Sequence, residues 1–114
     1  MQSWEVLKTD LIYEVAPWIK LSVQQVRLPS GKVVDSFHRV KMPEYAVVVA
    51  RTSDGRIIME RQYKHGVRKV SLMLPGGLIE PCEEPIAAAR RELEEETGYV
   101  GDDWLSLGCF ARFL

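Results

Sequence analysis

Apolar and polar positions trade places along the first part of the chain in a way that suits strands. Trp4 to about Glu14 reads as one strand, interrupted by the polar run Lys8-Thr9-Asp10. "EVAPW" reads as a turn around Pro17, and Trp18–Leu28 as a second strand rich in Ile, Leu and Val. "LPSGK" supplies the permissive backbone of a hairpin, and "KVVDSFHRV" returns as the third strand. Such an antiparallel unit is marginal alone and calls for packing against something else. The pattern then changes. "YAVVVA" at Tyr45–Ala50 is a continuous apolar run, which predicts a central strand buried on both faces. Asp54-Gly55 marks a tight turn, and Arg56–Gln62 reads as the partner strand. "YKHGVRK" reads as a polar loop, and "VSLMLPGG" as a short strand ending in a glycine turn. A helix is predicted over 85–97. Pro85 suits its first position, Gly98 suits a left-handed stop, and Ile86, Ala89, Leu93 and Thr97 would face a core. "WLSLGCFARF" reads as a last strand.

The chain has 114 residues, in the range of one domain, so these elements share one core and leave little room for a second. Two stretches are expected, an antiparallel unit over 1–40 and a core region over 41–114. A hydrophobic share of 46% and a charged share of 27% are those of a soluble globular protein. The net charge of -1 excludes the positive excess of a general nucleic-acid binder or a polybasic membrane anchor. The start "MQSWEVLKTD" is no export signal, and no stretch is long enough to span a membrane. Cys82 and Cys109 are therefore expected as thiols in a reducing, cytoplasmic setting.

Charge becomes informative around "GGLIEPCE" and "RRELEEETGY". Glu92 and Glu96 are four apart on the predicted helix, and Glu95 is three from Glu92. Like charges at that spacing repel, so the cluster costs stability unless a cation sits among them. A solvated glutamate face with Arg90 and Arg91 as partial counter-charges is the plainer explanation for "ELEEE" alone. Mg²⁺, with Mn²⁺ as a substitute, is the sharper one: it takes hard oxygen ligands and often bridges to phosphates. The glycine pair would let backbone approach a ligand closely.

The full pattern runs Gly77, five residues, Glu83, seven residues, Arg91-Glu92-Leu93, one residue, Glu95-Glu96, one residue, Gly98-Tyr99. Over these 23 residues the chain resembles the Nudix hydrolase box at every fixed position. The resemblance implies an α+β fold, an α/β/α sandwich around a mixed sheet, in which a loop–helix–loop holds divalent cations and a diphosphate. It implies Glu92 and Glu96 as main metal ligands, and Glu95 as a further ligand or a base. Glu95 and Glu96 are thus the catalytic candidates. Glu83 would lie in the cation shell or hold the box together, and the Gly76 carbonyl would complete the metal site. Gly77, Arg91, Leu93 and Gly98 would be structural.

"MERQYKHG" resembles the strand and loop of ADP-ribose and ADP-sugar pyrophosphatases. By that likeness Arg61 and Lys64 would contact substrate, although Lys64 lacks the bidentate fork of an arginine. A solvated basic loop is the competing explanation for Arg61, Lys64, Arg68 and Lys69. In that branch the N-terminal strands pair subunits, which implies a homodimer. The chain stops 15 residues after Tyr99, before the loop in which such enzymes carry a later glutamate, so low turnover is expected. The end of the chain, Phe110, Phe113 and Leu114, would be apolar surface. The expected activity is Mg²⁺-dependent hydrolysis of a nucleoside diphosphate derivative. The alternative is a non-catalytic nucleotide-binding or structural dimer domain.

Overall fold

Alternating side chains and turn chemistry are enough to lay down three strands at the start of the chain. The computed structural model describes residues 1–111, and the chain divides into two compact units, Met1–Pro43 and Glu44–Leu114. The first unit is an antiparallel sheet of β1 (Glu5–Val15), β2 (Ile19–Arg27) and β3 (Val33–Lys41), with β2 in the middle. Its buried residues, Ser22 and Val26, lie on that middle strand. Lys8-Thr9-Asp10 does not interrupt β1. The polar run sits on an edge strand, where Lys8 and Asp10 pair at 3.3 Å, and register shifts on either side absorb the irregularity. Trp4 meets Phe37 edge-on at 5.8 Å, yet Trp4 and Trp18 both stay half exposed rather than entering a core.

The second unit is built around one helix, α1, running Pro85–Thr97 between the bounds that Pro85 and Gly98 set. Its inward side is Ala88, Ala89 and Leu93, which pack with Ala46 and Val48 and are flanked by Ala50, Ile79 and Trp104. Ala88 therefore takes the place expected for Ile86, which is largely exposed. A small residue there lets helix and strand approach closely.

The apolar run Tyr45–Ala50 behaves differently from its pattern. Only β4 (Tyr45–Val47) is a paired strand, and its partner is β7 (Gly76–Leu78). Ala46 and Val48 are buried while Val47 and Val49 are more than half exposed, so one face is buried and not both. Helix α1 packs on the face that carries Ala46 and Val48. The Thr52–Arg56 turn closes as expected, with an Arg51–Ile57 bridge and an Ile58 N–H to Ala50 carbonyl bond of 3.0 Å. Regular pairing stops there. β5 (Glu60–Lys64) instead pairs with β6 (Lys69–Met73). Tyr63, Lys64 and Lys69 are thus strand residues, and the expected loop shrinks to the turn His65–Arg68, closed by Val67 N–H to Lys64 O at 3.2 Å. Gly76 and Gly77 belong to β7 and not to a turn.

No strand forms over 104–111. Trp104 folds back locally, its indole N–H donating to the Gly101 carbonyl at 2.8 Å and its ring meeting the Arg90 guanidinium at 5.6 Å. Phe110 is exposed, and Phe113 and Leu114 lie outside the described residues. The class is α+β. All described ladders are antiparallel and one helix is present, so the parallel pairing and second helical layer of a sandwich are not among the described residues. None of their helices is long and apolar enough to cross a membrane.

Gly98 ends α1 with a φ of 74°, its N–H bonded to the Glu94 carbonyl at 2.9 Å. A Cβ placed there would meet nothing within 4 Å, so only backbone conformation resists a side chain. Gly98→Ala is expected to lower stability by about 1 kcal/mol, the cost of a left-handed alanine, read from the urea unfolding midpoint.

Candidate active site

Strand β7 and helix α1 lie so close that the sequence between them has little freedom. A Cβ on Gly76 would strike the carbonyl oxygen of Ala46, and one on Gly77 would strike the carboxylate of Glu92. Gly76 needs glycine because backbone already fills that volume, whereas a side chain at Gly77 would displace the Glu92 carboxylate from its present position. The closeness is used: the Gly76 N–H donates to Glu96 Oε2 at 2.9 Å, tying the strand to the last turn of the helix.

Arg91 forms the hub beside it. Its Nε donates to Glu83 Oε1 at 2.9 Å and its Nη2 to Glu83 Oε2 at 3.0 Å, a two-point pairing. Nη2 also donates to the Leu78 carbonyl at 2.9 Å, while Nη1 reaches Glu92 Oε1 at 2.7 Å and Glu95 Oε2 at 3.3 Å. Glu83 accepts one more bond, from the Glu80 N–H at 2.9 Å. The Arg91 hydrogen bonds hold the Glu83 carboxyl below the usual range, with the Glu80 amide adding to the effect. Glu83 and Glu92 raise the Arg91 pKa further. The helix thus carries its own counter-charge, and the repulsion expected among Glu92, Glu95 and Glu96 is partly answered from within.

Two residues overlooked in the sequence complete the arrangement. Tyr45 donates its hydroxyl hydrogen to the Gly76 carbonyl at 2.5 Å, and its pKa is raised by burial and then by Glu96, Glu92 and Glu60. Glu60, at the start of β5, stands beside Glu96. Burial first, then the Glu96 charge, hold its carboxyl above the usual range. The sequence signal for Glu60 is a lone acid between the apolar residues Ile57-Ile58-Met59 and the basic residues Arg61 and Lys64. Tyr45 looked like the first residue of an apolar strand.

Glu60, Glu92, Glu96 and the Gly76 carbonyl are hard oxygen donors carrying more negative charge than their protein neighbours offset, and that chemistry suits a small divalent cation. Among the described residues no group of three or more His, Cys, Asp or Glu side chains is already disposed to hold a metal ion. Arg91 draws Glu83, Glu92 and Glu95 toward itself, and Glu95 is 59% exposed.

The substrate-binding candidates are not brought together. Alternation along β5 puts Lys64 on the face of Glu60, where its charge acts on the Glu60 carboxyl, and Arg61 on the opposite face. Leu93 is buried against β4. Cys82 has a φ of 63°, the left-handed backbone that suits glycine; it and Cys109 are free thiols.

Because the folded pKa of Glu83 is depressed, its pairing with Arg91 contributes stability above the ordinary carboxylate value of 4.5, and that contribution is lost as pH falls through the lower folded value. Denaturant midpoints measured from neutral to acid pH are expected to fall below pH about 4.5. Glu83→Gln should flatten that part of the curve and lower stability at neutral pH.

Residues 41–113 match the NUDIX domain. The chain is 39% identical over 92 residues to an ADP-ribose pyrophosphatase of Bacillus subtilis, covering 81% of this chain and 49% of that protein. It is 48% identical over 108 residues to an ADP-sugar pyrophosphatase of Mus musculus, covering 85% of this chain and 49% of the relative. A solved structure titled as that of an ADP compounds hydrolase shares the fold, with a TM-score of 0.74 at 24% identity, over 90% of this chain and 55% of the other. The chain spans about half the length of the curated relatives it matches. A matched domain of this extent, laid over the Gly77–Tyr99 box and its arginine hub, makes the chain a member of the Nudix family.

Proposed function

We propose that this chain carries the cation-dependent hydrolytic centre of a nucleoside diphosphate-X pyrophosphatase, with ADP-ribose or an ADP-sugar as the first candidate substrates. The observation that supports the reading is the meeting of β7 and α1, where the Gly76 N–H bonds Glu96 and Gly77 lies against the Glu92 carboxylate. The named activities of the relatives point to the substrate class.

In this reading Gly76, Glu92 and Glu96 would hold Mg²⁺, with Mn²⁺ able to replace it. When bound, the ion would neutralise phosphoryl charge and lower the pKa of a water. Glu95 is exposed and free to turn from Arg91, so it is offered as a further ligand or as the base that takes a proton from the attacking water. Glu83 has both oxygens occupied by Arg91 and the Glu80 amide, so it holds the box together. Lys64, on the face of Glu60, would pair with a substrate phosphate. Water adds to one phosphorus, the bridging P–O bond breaks, and two phosphomonoesters leave.

The first test is a metal-dependent assay of ADP-ribose and ADP-sugars in ¹⁸O-labelled water. Label should enter a product phosphate, and Glu96→Gln should reduce turnover by about 100-fold or more while leaving the fold intact. Binding of Mn²⁺ and ADP-ribose without turnover would favour the non-catalytic alternative.

The assembly proposed is a homodimer. The first unit exposes Trp4, Leu11, Ile12, Tyr13 and Trp18, each at least half accessible, on a three-stranded sheet that is marginal alone. Light scattering during size-exclusion chromatography at low micromolar protein should give twice the 13.0 kDa chain mass; a stable 13.0 kDa species rejects the dimer.

A further inference from the structure

Tyr45 is a second-row feature of the box that no fixed box position includes. It pairs in register with Leu78, so Gly76 lies one diagonal step along β7, within reach of a long aromatic side chain. The phenol uses that reach to donate to the Gly76 carbonyl at 2.5 Å, and the N–H of the same residue donates to Glu96 at 2.9 Å. One glycine is therefore gripped at both its polar atoms. It has no side chain of its own to hold it, and none could fit, because a Cβ would strike Ala46.

We propose that Tyr45 is a positioning residue for the cation site: its hydroxyl engages one lone pair of the Gly76 carbonyl, restrains that oxygen and leaves the other lone pair for a cation shared with Glu92 and Glu96. This rests on the metal reading of Gly76 and Glu96 given above. A carbonyl oxygen has two lone pairs, so a hydrogen bond to one leaves the other for a cation. The β4–β7 ladder fixes the course of the strand, and the phenol adds a hydrogen bond to the Gly76 carbonyl itself, so its loss would free that oxygen for small reorientations. Partners that orient a ligand from behind commonly change metal affinity by 10- to 100-fold when removed. The phenol ring is about half exposed, so the hydroxyl is better explained by what it holds than by core packing.

The test compares wild type with Tyr45→Phe, which deletes one oxygen atom. Free Mn²⁺ is measured by electron paramagnetic resonance with no substrate present, and unfolding by urea is measured in EDTA. The expected result is Mn²⁺ binding weakened by about tenfold with an unfolding midpoint close to that of wild type. Equal Mn²⁺ affinity in the two proteins overturns the role of Tyr45 while leaving the metal reading in place. A lowered midpoint with unchanged affinity does the same, since it marks the phenol as a strand fastener only. No Mn²⁺ binding by wild type overturns the metal reading itself, and this inference with it. Should the variant not fold, wild type labelled with ¹³C in its tyrosine rings decides the matter. Mn²⁺ should broaden the Tyr45 ring signals well before those of Tyr63, and an unaffected Tyr45 rejects the proposal.

Discussion

One guanidinium organises the chemistry-bearing half of this chain. Arg91 joins the loop before the helix, through Glu83, and the end of β7, through the Leu78 carbonyl, to the helix that carries Glu92 and Glu95. Its side chain is 25% exposed and those of Glu83 and Glu92 only 15% and 14%, so these charges are screened less than an open surface pair. Arginine suits this position better than lysine, because five donors in a planar fork can serve several acceptors at once. The same network shapes the electrostatics of the neighbouring site. It offsets negative charge on Glu83 and Glu92, while Glu60 and Glu96 face each other with Lys64 as the positive charge acting on Glu60.

The helix was legible because its signals were local. Pro85 and Gly98 act through backbone geometry alone, so no distant contact could overrule them. The first sheet was legible for a similar reason: its turns are written in short stretches and its strands follow one another in the chain. The exposed face of Val47 and Val49 was not legible, since an apolar run says that cover is wanted and not whether the chain at hand supplies it. The loss of a strand after Trp104 has the same root. "WLSLGCFARF" has strand-forming residues, but a strand also needs an edge to pair with.

The box residues could be read from their spacing, whereas Glu60 and Tyr45 could not. They reach the carboxylates from β5 and β4, and only the folding of these strands toward β7 and α1 decides that a tyrosine 31 residues before Gly76 touches its carbonyl. Arg61 and Lys64 teach the converse. They are close in sequence and alike in charge, but an odd separation on a regular strand sends them to opposite faces. A basic motif read as one binding group is, once pleated, two separate charges in two environments.

The fit of Glu92 against Gly77 has a consequence for inheritance. A Cβ on the strand glycine would enter the volume of the helix glutamate's carboxylate, so a change in either is felt by the other. A chimaera that borrows its helix from one relative and its glycine strand from another would join two halves shaped for different neighbours. Recombination would preserve this one fit when its crossovers fall outside the span from Gly77 to Glu92, while the contacts of Tyr45 and Ala46 with Gly76 tie that span to β4 as well.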